Sequence, residues 1–116
     1  MNQVAMTEQH TFHLWLEFEH WLPREGDDSE MDFFNMQITL TGGMKYALNV
    51  WTFKFLPRAV EECRETGEHL SGAYLPAPDL FVERLDRALI ERAVADLIAQ
   101  GGLRKEWEIH DQSEDA

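Results

Sequence analysis

The pattern of apolar and polar positions divides the chain into strands first and helices afterwards. From Thr11 to Trp21 the sequence TFHLWLEFEHW alternates. Phe12, Leu14, Leu16 and Phe18 fall on one side, with His13, Trp15, Glu17, Glu19 and Trp21 on the other, the period of a half-buried strand. DFFNMQITL repeats the pattern, with Phe34, Met36, Ile38 and Leu40 together and Phe33, Asn35, Gln37 and Thr39 facing away. In MKYALNVWTF, Tyr46, Leu48 and Val50 share a side, while Ala47, Asn49, Trp51 and Phe53 take the reverse. Gly42 and Gly43 lie between the second and third runs, and both are assigned the positive φ of a tight hairpin turn, which makes these strands antiparallel neighbours.

The period changes after Pro57, a residue suited to a first helical turn. Leu56, Val60 and Cys63 form the stripe of a short helix that Gly67 stops. EHLSGAYLPAPD is too rich in turn formers for a long element, and LFVERL fits either a brief strand or the lead-in to a helix. From Asp86 to Gln100, Leu89, Ile90, Ala93, Val94, Leu97 and Ile98 recur at helical spacing, with Asp86 as N-cap and Gly101 and Gly102 as the stop. Replacing Leu97 by Ala in a core stripe is expected to cost about 2 to 5 kcal/mol. A short edge strand is expected around Trp107 and Ile109. The fold class is therefore α+β: an antiparallel sheet of three to five strands, a short helix, and a longer C-terminal amphipathic helix packed on one face.

At 116 residues the chain suits one domain. Residues 1–10 are expected to form a flexible arm and residues 110–116 an acidic tail. LPREGDDSE, with Pro23, Gly26, Asp27, Asp28 and Ser29, reads as an exposed acidic loop. No apolar run approaches the roughly 20 residues that cross a bilayer. MNQVAMTEQH lacks the positive start and apolar centre of a secretion signal, so the expected compartment is the cytoplasm. The single cysteine, Cys63, cannot form an intramolecular disulfide and reads as a buried structural thiol.

A formal charge of −12 repels phosphate backbones and anionic lipid, which argues against nucleic-acid and membrane partners. The same charge speeds encounter with a basic protein, although it also serves solubility alone. No catalytic constellation stands out. His10 and His13 are three apart, a spacing that on a strand points them to opposite faces, so no metal site is expected. Glu17 with Glu19, or Glu61 with Glu62, lack a visible pocket to separate their pKa values. TGGMK joins two strands without the helix N-terminus that holds a phosphate. No cofactor is implied, and the chain reads as a non-enzyme.

The middle of the chain resembles the immunity protein 8 family of bacterial polymorphic toxin systems. The resemblance lies in the Phe-bearing strand, the glycine turn, a strand ending VWTFKFL, and the later order of a C-terminal helix followed by Trp107. In that family a strand closes on a Val-Cys-Thr-Pro-x-Trp-Leu-like signature. Val50, Thr52 and Leu56 match it, whereas Trp51 stands where cysteine is usual, Phe53 where proline is usual and Phe55 where tryptophan is usual. The resemblance covers about a third of the chain, at positions that look like packing positions. It implies a small cytoplasmic protein that neutralises a cognate toxin by binding it, without chemistry or cofactor.

Aromatic side chains ringed by acids make interface anchors. The expected contact surface is Trp15, Glu17, Glu19 and Trp51 on the outer sheet face, with Asp27, Asp28 and Glu30 from the loop. The expected partner is a basic protein toxin, met by a monomer or homodimer. Two alternatives stand beside this: a self-associating structural module using the same face, and a small enzyme. In a further alternative, Trp15, Trp51 and Phe53 pack under loops or a helix of the same chain.

Overall fold

Alternation becomes a sheet because the apolar members of three neighbouring strands meet in register. The computed structural model describes residues 12–22 and 28–109. β1 (Phe12–Leu16), β2 (Phe33–Leu40) and β3 (Lys45–Thr52) are antiparallel neighbours. Leu14 lies opposite Ile38 and Leu16 opposite Met36, while Ile38, Met36 and Phe34 face Tyr46, Leu48 and Val50. These side chains are buried and form one cluster with Val82, Ile90, Val94 and Trp107. Each buried side chain of this kind contributes about 1.5 to 3 kcal/mol relative to exposure.

The hairpin between β2 and β3 uses its two glycines differently. Only Gly43 has a positive φ, at 101°, and its N–H donates to the Leu40 carbonyl at 2.8 Å. The three-residue loop Thr41, Gly42 and Gly43 closes with a left-handed last residue, a geometry that needs one glycine rather than two.

β1 is shorter than the alternation predicts. Pairing stops at Leu16, and Glu17–His20 forms a 3-10 turn. The Glu17 carboxylate accepts the Asn35 backbone N–H at 2.8 Å, occupying the place where a continued strand would pair. The turn swings Phe18 edge-on against Phe34, with ring centroids 4.9 Å apart. Trp21 follows it onto the core instead of joining Trp15 on the outer face.

α1 (Phe55–Thr66) has Pro57 in its first turn and ends at Gly67, whose φ is 85°. Its buried stripe is Phe55, Ala59 and Cys63: Cys63 is buried as expected, whereas the other two members lie one position before the expected Leu56, which is exposed, and Val60, which is half-buried. After Gly67 a short helical segment, Glu68–Gly72, carries left-handed φ and ψ at His69, Leu70 and Ser71. Three consecutive non-glycine residues in that region are costly, about 1 to 2 kcal/mol each. Contacts to α1 hold the segment, including Cys63 Sγ to His69 Nδ1 at 3.3 Å.

LFVERL resolves as β4 (Leu80–Val82), which joins β3 in parallel at Val50 to Thr52. β5 (Glu108–Ile109) pairs antiparallel with the start of β3, so the two short strands line one edge of β3 at opposite ends. Among the described residues the sheet thus has five strands, in an α+β fold.

α2 (Arg87–Ala99) is N-capped by Asp86, whose carboxylate accepts the Ala88 N–H at 3.0 Å. Ile90 and Val94 are its fully buried contacts with the core, whereas Leu89, Ala93, Leu97 and Ile98 are only half-buried. Gly101, with φ 68°, ends the helix. The expected N-terminal arm, the acidic tail, and Pro23, Gly26, Asp27 and His10 lie outside the described residues.

Candidate functional site

The same alternation that sends Leu14, Phe34 and Val50 inward sends a second set of residues to the reverse of the sheet. On that outer face Phe33 of β2, Trp51 of β3 and Phe81 of β4 lie side by side in register. Phe53 continues the row beyond the end of β3, with its ring centroid 6.2 Å from that of Phe81. Phe55, at the start of α1, is buried beneath Phe33 and Trp51, with centroids 5.0 and 5.1 Å away. One aromatic from the first helix therefore supports this group. Phe53 remains 59% exposed, Phe33 46% and Phe81 38%.

Toward the other end of the same face lies a shallow open depression of about 520 Å³, bordered by Trp15, Glu17, Asn35, Gln37, Asn49 and Asp79. Small-molecule sites enclose most of their ligand's surface, and an open dip of this kind does not. Trp15 is 39% exposed and stacks on His20 at 5.2 Å. Trp15 and Trp51 are separated by two strand spacings and by four residues along β3, about 16 Å, so both fit under one protein footprint.

The expected contact residues divide into three groups. Trp15, Glu17 and Trp51 share the outer face. Asp28 and Glu30 sit in a turn beyond its aromatic end, where Met31 N–H donates to the Asp28 carbonyl and Glu30 N–H to the Asp28 carboxylate. Glu30 is paired with Lys54 at 2.6 Å, next in sequence to Phe53, and holds the Lys54 ammonium charged above its ordinary range. Glu19 stands apart from both sets. Its two oxygens accept from Arg87 Nε and Nη2 at 2.7 and 2.8 Å, and Arg87 also donates to Glu91 and to the Leu14 carbonyl. The Arg87 hydrogen bond holds the Glu19 carboxyl below its ordinary pKa against the opposing effect of burial. Glu19 therefore locks β1 to α2, and Asp27 lies outside the described residues.

Phe33, Phe53 and Phe81 were absent from the expected surface. The alternation already puts Phe33 and Phe53 on the side of Trp51, a signal sufficient to find both. Phe81 has no such signal, because its place depends on a parallel pairing some 30 residues distant, as between Trp51 and Phe81.

Among the described residues no group of three His, Cys, Asp or Glu side chains is arranged to hold a metal ion, and no helix is long and apolar enough to cross a membrane. No protein-family model matches the chain, and neither the curated proteins nor the solved structures yield a match to it.

Proposed function

We propose that this chain is a non-catalytic binding protein of the immunity type, which neutralises a basic protein toxin in the cytoplasm by covering it with the outer face of its sheet. The observation that carries the reading is the row on the outer face in which Phe33, Phe81 and Phe53 stand exposed around a half-buried Trp51, with Phe55 of α1 packed behind Phe33 and Trp51. Exposed aromatics in one contiguous row, rimmed by polar groups, mark protein contact sites.

The formal charge of −12 favours a basic partner, since opposite charge raises association rate and rejects acidic competitors. It also opposes self-association through the same surface, because two copies bring like charge together. The resemblance of the VWTFKFL strand to the immunity protein 8 family points the same way.

The test is co-expression with the product of the neighbouring reading frame, which the proposal expects to carry a toxin domain. The wild-type chain is expected to restore growth, and a Phe53→Ala/Phe81→Ala variant that folds normally is expected to lose most of that protection. Failure of the wild-type chain to restore growth defeats the proposal.

A further inference from the structure

Midway along the outer face, Asn35 and Asn49 are register partners on β2 and β3. Their backbone N–H groups point away from each other, one toward β1 and one toward β4. Neither of those strands reaches far enough to pair with them. Two carboxylates fill the gaps: Glu17 Oε1 accepts Asn35 N–H at 2.8 Å and Asn35 Nδ2 at 3.2 Å, and Asp79 Oδ2 accepts Asn49 N–H at 2.8 Å. Asp79 N–H in turn donates to the Asn49 carbonyl at 2.9 Å.

Each carboxylate thus spends one oxygen on the sheet. Among the described residues the other oxygen has no hydrogen-bond partner, nor do the side-chain amides of Asn49 and Gln37. Among the described residues neither Glu17 nor Asp79 is paired with a cation, in contrast to Glu19 with Arg87 and Glu30 with Lys54. Strand spacing and hydrogen-bond length place the two carboxylates about 10 Å apart, with amide oxygens between them and the Trp15 ring at one side.

We propose that this depression seats an arginine side chain of the basic partner, an inference that rests on the outer face being the contact surface. A guanidinium presents five donors in one plane and stacks on aromatic rings, so it can bond one carboxylate and the amide oxygens beside it next to the indole, while the second carboxylate attracts it by charge. A lysine ammonium is a point charge that satisfies one carboxylate and leaves the rest of the row unfilled. Because backbone N–H groups already hold Glu17 and Asp79, little side-chain freedom is lost when the cation arrives.

The probe is a triarginine peptide, with trilysine as the equal-charge comparison, titrated into the full chain at fixed ionic strength. The readouts are the Asn35 and Asn49 amide signals and the Trp15 indole signal in NMR. Triarginine is expected to shift these signals saturably, binding about five-fold or more tightly than trilysine. Glu17→Gln and Asp79→Asn keep an oxygen for the backbone N–H while removing the charge, and each is expected to weaken binding by about five- to ten-fold. Glu65→Gln, on exposed α1, is expected to change nothing.

Equal responses to the two peptides, non-saturating shifts, or indifference to both charge-removing variants overturns the arginine seat. If the seat fails while Phe53→Ala/Phe81→Ala still abolishes growth protection, the contact-face reading survives alone. Triarginine binding without any growth protection by the wild-type chain leaves the seat standing and removes the toxin.

Discussion

The two faces of the sheet are built from alternate residues of the same strands, yet they have opposite fates. On one face Leu16, Phe34, Met36, Ile38 and Val50 are fully buried with Ile90 and Val94 of α2. On the other, Phe33 and Phe53 stand in the open beside their buried sequence neighbours. Burial of the first set supplies the main core of the fold. The outermost ring of the second set, Phe53, adds little to it, and leaving such rings exposed makes the molecule more adhesive. On the proposed reading the outer face serves contact and the inner face stability, and mutations should separate the two.

The largest expected effect is on the inner face. Phe34→Ala removes a fully buried ring that packs against Phe18, and is expected to cost about 3 to 5 kcal/mol in urea unfolding. Leu97→Ala, on a half-buried position of α2, should cost less than the 2 to 5 kcal/mol expected of a core position, about 1 to 2 kcal/mol. Equal costs would mean that the boundary of the core lies elsewhere.

Next comes Gly72→Ala, at the end of the left-handed segment. Gly72 has a φ of 84°, and an added Cβ would sit 2.9 Å from the Val60 carbonyl oxygen. A loss of about 2 kcal/mol is expected, with α1 fraying first in hydrogen exchange. A neutral substitution would show that the segment is not held against α1.

Arg87 tests the tie between β1 and α2. An arginine in the first turn of a helix opposes the helix dipole, so its place has a tertiary reason. Arg87→Ala is expected to cost about 1 to 2 kcal/mol, since it breaks bonds to Glu19, Glu91 and the Leu14 carbonyl on the edge of β1. The pH dependence has a definite sign. Glu19 titrates lower in the folded chain than its ordinary 4.5, so its contribution is complete above that value and is lost as pH falls through the folded pKa. The stability gap between wild type and Glu19→Gln should therefore be widest near about pH 7 and shrink toward about pH 3. A gap that widened in acid would contradict the assigned pairing.

The smallest effect on stability is expected where the largest effect on binding lies. Phe53→Ala should change unfolding free energy by no more than about 0.5 kcal/mol. A loss comparable to that of Phe34→Ala would make the outer aromatics a second core.

How far the sequence revealed this arrangement depends on the distance between interacting residues. The β2–β3 hairpin, the inward set Phe34, Met36 and Ile38, the Asp86 cap and the glycine stop after α2 all rest on neighbours in sequence, and the pattern reads them directly. The end of β1 escapes it, because alternation continues through Glu17, Phe18 and Glu19 while the backbone has already turned. The Glu19–Arg87 pair spans 68 residues and β4 joins β3 in parallel, and neither leaves a local trace. Glu17 was legible as an outer-face carboxylate, whereas its partner across the sheet, Asp79, lies in a loop that offers no periodicity.

The central claim is that the outer sheet face is the binding surface. Its most direct test is calorimetric titration of the protein encoded by the adjacent reading frame, the proposed toxin, with wild type and with Phe53→Ala/Phe81→Ala, alongside their melting temperatures. The expected result is affinity reduced by about thirty-fold or more, about 2 kcal/mol, with melting nearly unchanged. Undiminished affinity in a normally folded variant would contradict it.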